Sequence, residues 1–154
     1  MLTKPVINKL NKYFKTQKNI LAVYLYGSYA NGLPNKMSDI DFGIVLNKTI
    51  SDSRAFNLRL KYMGVLDTLL RKDLKFQYAD AVILNNTSPL LKLQAIYFGK
   101  LIYSRDDEQR IKLDVKFLQE YEDTLNLREI QNKYLIERVK EGRFGVKPIL
   151  KGIK

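Results

Sequence analysis

The sequence predicts an α+β domain, a small mixed β-sheet with helices packed on one face, followed by a C-terminal helical extension. Three observations carry this. Strand-like apolar runs at 20–26, 39–46 and 76–84 alternate with segments of helical periodicity. From 106 to 141 the helical spacing continues without another strand. The length, 154 residues with 45% hydrophobic content, suits one ordinary domain that can bury a core without covalent staples.

Taken in order, Pro5 suits the first turn of a helix, and Val6, Ile7, Leu10, Tyr13 and Phe14 recur along one side of it. Residues 20–26, ILAVYLY, are rich in strand formers and run into Gly27-Ser28, which stops a strand. In residues 39–46, DIDFGIVL, Ile40, Phe42, Ile44 and Leu46 point one way; Asp39, Asp41, Gly43 and Val45 point the other. Residues 53–72 read as a helix whose buried side is Phe56, Leu60, Met63, Leu66, Leu69 and Leu70. Strand character returns over 76–84, 85–88 is a turn, 89–98 a short helix stopped by Gly99, and 100–103 a small strand. Helical spacing then puts Ile111, Val115, Leu118 and Leu125 on one stripe and Ile130, Tyr134 and Val139 on a second, with a break near Asn126 and a stop at Gly142. The chain divides into a core over 1–105, helices over 106–142 continuous with that core, and a basic tail over 143–154.

Composition narrows the chemistry. There is no Cys and no His, which excludes disulfides, thiolate nucleophiles, histidine general bases and Cys- or His-ligated metals. Catalysis would fall to carboxylates, Lys, Arg, Ser and Tyr, with a hard metal such as magnesium. The net charge of +11 sits at the ends: residues 1–38 hold six lysines and no acid, residues 143–154 hold four cations and no acid, and the stretch between carries +1. Such ends attract an acidic partner or nucleic acid. Lys4, Lys9, Lys12, Lys15 and Lys18 are spread around their helix with no evident aromatic platform beside them, so nucleic acid is the less favoured of the two. No run approaches the ~18 apolar residues that a membrane span needs. With no signal-peptide core and no Cys, the expectation is a cytoplasmic protein without a membrane partner.

The informative stretch is 27–41, GSYANGLPNKMSDID. Asp39 and Asp41, two apart on one strand, share a face, and two ionised carboxylates so close call for a compensating charge. Magnesium commonly binds one or two carboxylates together with substrate phosphates. Gly27 lets the backbone approach a ligand closely, and a short helix opening at Ser28 would offer free N–H groups to a phosphate. Asp80, in phase with Val82 and Leu84 on an adjacent strand, would complete a triad able to hold two magnesium ions around a nucleoside triphosphate.

This stretch resembles the nucleotidyltransferase superfamily related to DNA polymerase β, whose hallmark is Gly-Ser, ten residues, then Asp-x-Asp; Gly27, Ser28, Asp39 and Asp41 match it position by position. Within it the chain looks like the minimal nucleotidyltransferases, the MntA-type antitoxins encoded beside a HEPN-domain toxin. The likeness runs through SDID at 38–41, ADAVILNNTSPLL at 79–91, GKLIYSRD at 99–106 and EGRFG at 141–145. The resemblance implies a polymerase β-like fold and a type VII antitoxin. Such an enzyme transfers AMP from ATP, with magnesium, to a tyrosine of a HEPN RNase toxin and silences it. The alternatives are nucleotide transfer to a small molecule, or a non-catalytic antitoxin or nucleic-acid-binding module. Family members commonly read Gly-Ser-x-Ala-Arg-Gly; here Asn31 takes the Arg position and cannot supply its charge, which leaves Lys36 as the candidate substitute for binding the triphosphate.

Overall fold

In the computed structural model, which describes residues 2–35, 37–72 and 78–143, the apolar stripe after Pro5 forms helix α1 (Lys4–Thr16) and buries Val6, Leu10 and Phe14. Strand β1 (Ile20–Tyr26) leads directly into a short helix α2 (Gly27–Asn31), and β2 (Ile40–Leu46) follows. Helix α3 (Asp52–Leu70), β3 (Ala79–Ile83), α4 (Pro89–Ile96), β4 (Lys100–Ser104) and α5 (Asp107–Glu122) complete the order before a last helix, α6 (Leu125–Lys140). The strands lie in the order β3-β2-β1-β4. β1 pairs antiparallel with β2 and with β4, while β2 and β3 run parallel, so the sheet is mixed.

Every residue of β1 before Tyr26 is buried, and β2 is buried except at Asp41. Strands this apolar need cover on both sides. One face, with Val23, Leu25, Phe42, Ile44, Ala81 and Ile83, packs against α1 and against Ala55, Tyr62, Leu66 and Leu70 of α3. The other, with Leu21, Tyr24 and Val45, packs against Leu84, Ala95 of α4 and Phe117 of α5. The helices therefore cover both faces, not one. Amphipathic spacing shows that a helix docks, but not to which side of the sheet its connection carries it.

Two helices depart in part from the inward side that their apolar spacing suggests. In α3, Phe56 and Leu60 are exposed, and the inward side carries Ala55, Tyr62, Leu66 and Leu70, with Met63 and Leu69 partly buried against them. Tyr62 can be fully buried because its hydroxyl meets the Asn19 side chain, whose Nδ2 donates to it at 3.0 Å. In α5, Ile111 and Val115 are exposed while Asp114 and Phe117 are buried. The Tyr24 hydroxyl donates to Asp114 Oδ2 at 2.6 Å and Arg110 Nη1 donates to the same oxygen at 2.9 Å. This network draws a polar residue inward and turns the aliphatic stripe out.

Two further contacts lock the frame. A Cβ on Gly99 would lie 2.1 Å from the Ala95 carbonyl oxygen and 2.8 Å from that of Leu25, so only glycine lets the α4–β4 turn close over β1. Arg105, just past β4, donates from Nε to the Ile20 carbonyl at 2.9 Å and from Nη2 to the carbonyls of Lys15 and Gln17 at 3.1 and 3.0 Å. It satisfies carbonyls that the end of α1 leaves without helical partners.

Residues 1–121 form one compact unit and 122–154 a second. Within the second, α6 buries none of its residues, and the helix break falls at 123–124, just ahead of Asn126. Most of the basic tail expected over 143–154 lies outside the described residues. Among those described, no helix is long and apolar enough to cross a membrane.

Candidate active site

The site forms where β1 ends and β2 and β3 begin. At the end of β1 the chain turns at Gly27 with a φ of +69°, in the region that favours glycine. A Cβ there would lie 2.3 Å from Asp41 Oδ2 and 3.3 Å from Asp41 Cγ. The close approach that the sequence assigns to a ligand is thus made first by the Asp41 carboxylate. Ser28 follows in the first turn of α2, which buried Tyr29 and Ala30 anchor to the core.

The entry to β2 is held locally. Asn35 N–H donates to Ser38 Oγ at 2.9 Å, Met37 N–H to Asn35 Oδ1 at 2.8 Å, and Ile40 N–H to the Tyr78 carbonyl at 2.9 Å. Asp39 sits one residue before the strand and is exposed. Asp41, inside the strand, lies opposite Tyr26 of β1 and level with Asp80 of β3. These three side chains share one face. Burial and then the neighbouring Asp80 and Asp39 push the Asp41 carboxyl up to about 6. Burial first, and then the charges of Asp41 and Asp80, push the Tyr26 hydroxyl up to about 12.

Asp80 has partners of its own. Ala81 N–H donates to its Oδ1 at 2.8 Å, and Arg59 Nη2 donates at 3.1 Å to Oδ1 and 3.4 Å to Oδ2. The structure thus brings together Gly27, Ser28, Asp41 and Asp80, with Asp39 at the entrance. Lys36 lies outside the described residues, and Asn31 is exposed at the end of α2. Sequence reasoning missed Tyr26 and Arg59. Strand alternation from Tyr24 could have found the first. Nothing in the spacing of α3 marks Arg59, which reaches the site from a helix on the other face of the sheet.

Among the described residues no three acids stand close enough together to form a finished metal cage. The donor chemistry nevertheless fits a hard cation: carboxylate oxygens on adjacent strands, and an Asp41 whose charge is opposed by burial and by two like charges.

Residues 8–108 match the family described as Polymerase beta, Nucleotidyltransferase, and the chain belongs to that family. Among curated proteins it is 28% identical over 104 residues to the protein adenylyltransferase MntA of Shewanella oneidensis, a span covering 66% of this chain and 68% of that protein. Its fold is similar to a toxin–antitoxin crystal structure with AMP-PNP, at a TM-score of 0.64 and 23% identity over 84% of this chain and 98% of the other. It is also similar to a structure of a tri-AMPylated Shewanella oneidensis HEPN toxin in complex with its MNT antitoxin, at a TM-score of 0.63 and 20% identity over 88% and 99% of the two chains.

Proposed function

We propose that this chain is an antitoxin of the HEPN–nucleotidyltransferase type, a protein adenylyltransferase that moves AMP from ATP to a tyrosine of its partner HEPN toxin and so neutralises it. One observation carries the reading: the Gly27 backbone lies directly against the Asp41 carboxylate, so the turn for phosphates and the acids for a metal form one surface. The adenylyltransferase relative and the AMPylated toxin complex support a protein as the acceptor. In the transfer, the acceptor oxygen forms a bond to the α-phosphorus and pyrophosphate leaves.

In this reading Gly27 and Ser28, with Lys36, bind the triphosphate, and Asp39, Asp41 and Asp80 are the catalytic acids that hold magnesium, two ions when all three are engaged. The metal would neutralise phosphate charge and sharpen the acceptor as a nucleophile. The chain's own groups orient these parts: β2 and β3 fix the spacing of Asp41 and Asp80, and the first N–H groups of α2 would be available to the phosphates. The family match over 8–108 supports a catalytic core within 1–105, with the helices of 106–142 and the basic tail of 143–154 left for the partner. The work site of such a pair is the cytoplasm.

The test is direct. The protein is mixed with the HEPN product encoded beside it, magnesium and α-labelled ATP. Label should appear on a toxin tyrosine and toxin RNase activity should fall. A toxin silenced without acquiring label would replace this reading with neutralisation by contact alone.

A further inference from the structure

Arg59 does more than pair with an acid. It comes from α3, on the α1 side of the sheet, to Asp80, on the opposite face, and β3 is the edge strand around which it must pass. Among the described residues its Nε is buried without a hydrogen-bond partner. Arg59 also lines a cavity of about 210 Å³ together with Asp52, Phe56, Val82 and Asn86. Asn86 Oδ1 is likewise buried with no partner among the described residues, while Asn86 Nδ2 donates to Asp52 Oδ1 at 2.8 Å. The cavity thus holds a carboxylate and an unused acceptor within the neighbourhood of a guanidinium that has an unused donor.

A guanidinium and a divalent cation compete for the same carboxylate oxygens. We propose that Arg59 is a positioning residue that gates Asp80. It holds the carboxylate until a divalent cation takes those oxygens, then withdraws along the edge of β3 into the cavity, where Asp52 and Asn86 Oδ1 receive it. Metal entry and arginine release are then one event. The inference rests on the reading of Asp41 and Asp80 as metal ligands.

The test is titration with manganese, followed by its electron paramagnetic resonance, on the free protein without nucleotide. Removing the competitor should tighten binding, so Arg59→Gln should bind manganese about two- to fivefold more tightly than wild type, the scale of a partly exposed ion pair. Arg59→Lys, which keeps a cation, should fall between them. In an Asp80→Asn background the Arg59→Gln change should have no effect. Unchanged or weaker binding by Arg59→Gln, or equal tightening in the Asp80→Asn background, would overturn the gate. Asp41→Asn separates the two levels. If it leaves manganese affinity untouched, the metal binds elsewhere, and the reading of the acidic pair fails along with the gate. If it weakens binding while Arg59→Gln does nothing, only the gate fails.

Discussion

Two aspartates stand beside tyrosines two residues apart on β1, and their surroundings are opposite. Asp114 meets Tyr24, and Asp41 lies across from Tyr26. Both carboxyls are pushed up first by burial. At Asp114 the Tyr24 hydroxyl and the Arg110 guanidinium oppose that push by donating to the carboxylate. At Asp41 the next influences are two more acids, which add to it. One carboxylate has been supplied with donors and serves packing. The other is kept poor in positive charge, a strain that packing does not explain and that binding a cation would relieve.

The widest separation should appear in activity. Asp41→Asn keeps the shape and removes a charged oxygen, so AMP transfer should fall by at least about a hundredfold, while the fold survives. Asp114→Asn should leave transfer within a few-fold of wild type in the same labelled-ATP assay. Equal losses would erase the distinction drawn between the two acids. Stability should show the reverse. Asp114→Ala strips the acceptor from Tyr24 and Arg110 together and should lower unfolding free energy by about 2–4 kcal/mol in urea titrations. A cost near zero there would mean that the network contributes no net stability.

On the phosphate side, Ser28→Ala loses one hydrogen bond to a charged ligand, about 1.5–3 kcal/mol, or roughly ten- to a hundredfold in transfer. The backbone N–H groups remain, so the loss should stay below that of Asp41→Asn. The smallest effect is on pH dependence. Asp41 ionises near its ordinary 3.8 when unfolded but at about 6 when folded, so its ionisation works against folding. That penalty is absent at pH below 3.8, grows as pH rises, and is complete above about 6. Asp41→Asn should therefore raise the melting temperature at pH 7 and above, with the gain shrinking to nothing toward pH 4. Because Asp41 is only half-buried, solvent screening trims the gain to about 1 kcal/mol, roughly 2–4 °C. A gain that persists at pH 4 would point to a cause other than charge.

How far the sequence foretells this arrangement depends on the kind of signal. The apolar run ILAVYLY ending at Gly27, and the alternation of DIDFGIVL, are local patterns, and β1 and β2 follow them closely. Asp80 comes level with Asp41 through the parallel register of β2 and β3, which phase within β3 alone does not fix. What depends on a distant partner is not legible. Tyr62 turns inward on α3 where it meets Asn19, and Asp114 turns inward on α5 where it meets Tyr24 and Arg110. Likewise the cavity lined by Lys12, Lys15 and Tyr103 sets an aromatic beside two of the N-terminal lysines, a pairing hidden because β4 lies so far along the chain. Arg59 is hidden for the same reason: its partner belongs to another element and another face.

The hold of Arg105 on the end of α1 has a consequence in time. A ribosome delivers α1 first, but the residue that fastens its last carbonyls comes after β4. Until β4 has emerged and paired with β1, the first helix has hydrophobic cover but no latch, and the sheet keeps a raw edge along β1. A chain cut short before residue 105 should therefore be cleaved more readily at its N-terminal helix in limited proteolysis than the finished unit, in which Arg105 holds the Ile20 carbonyl.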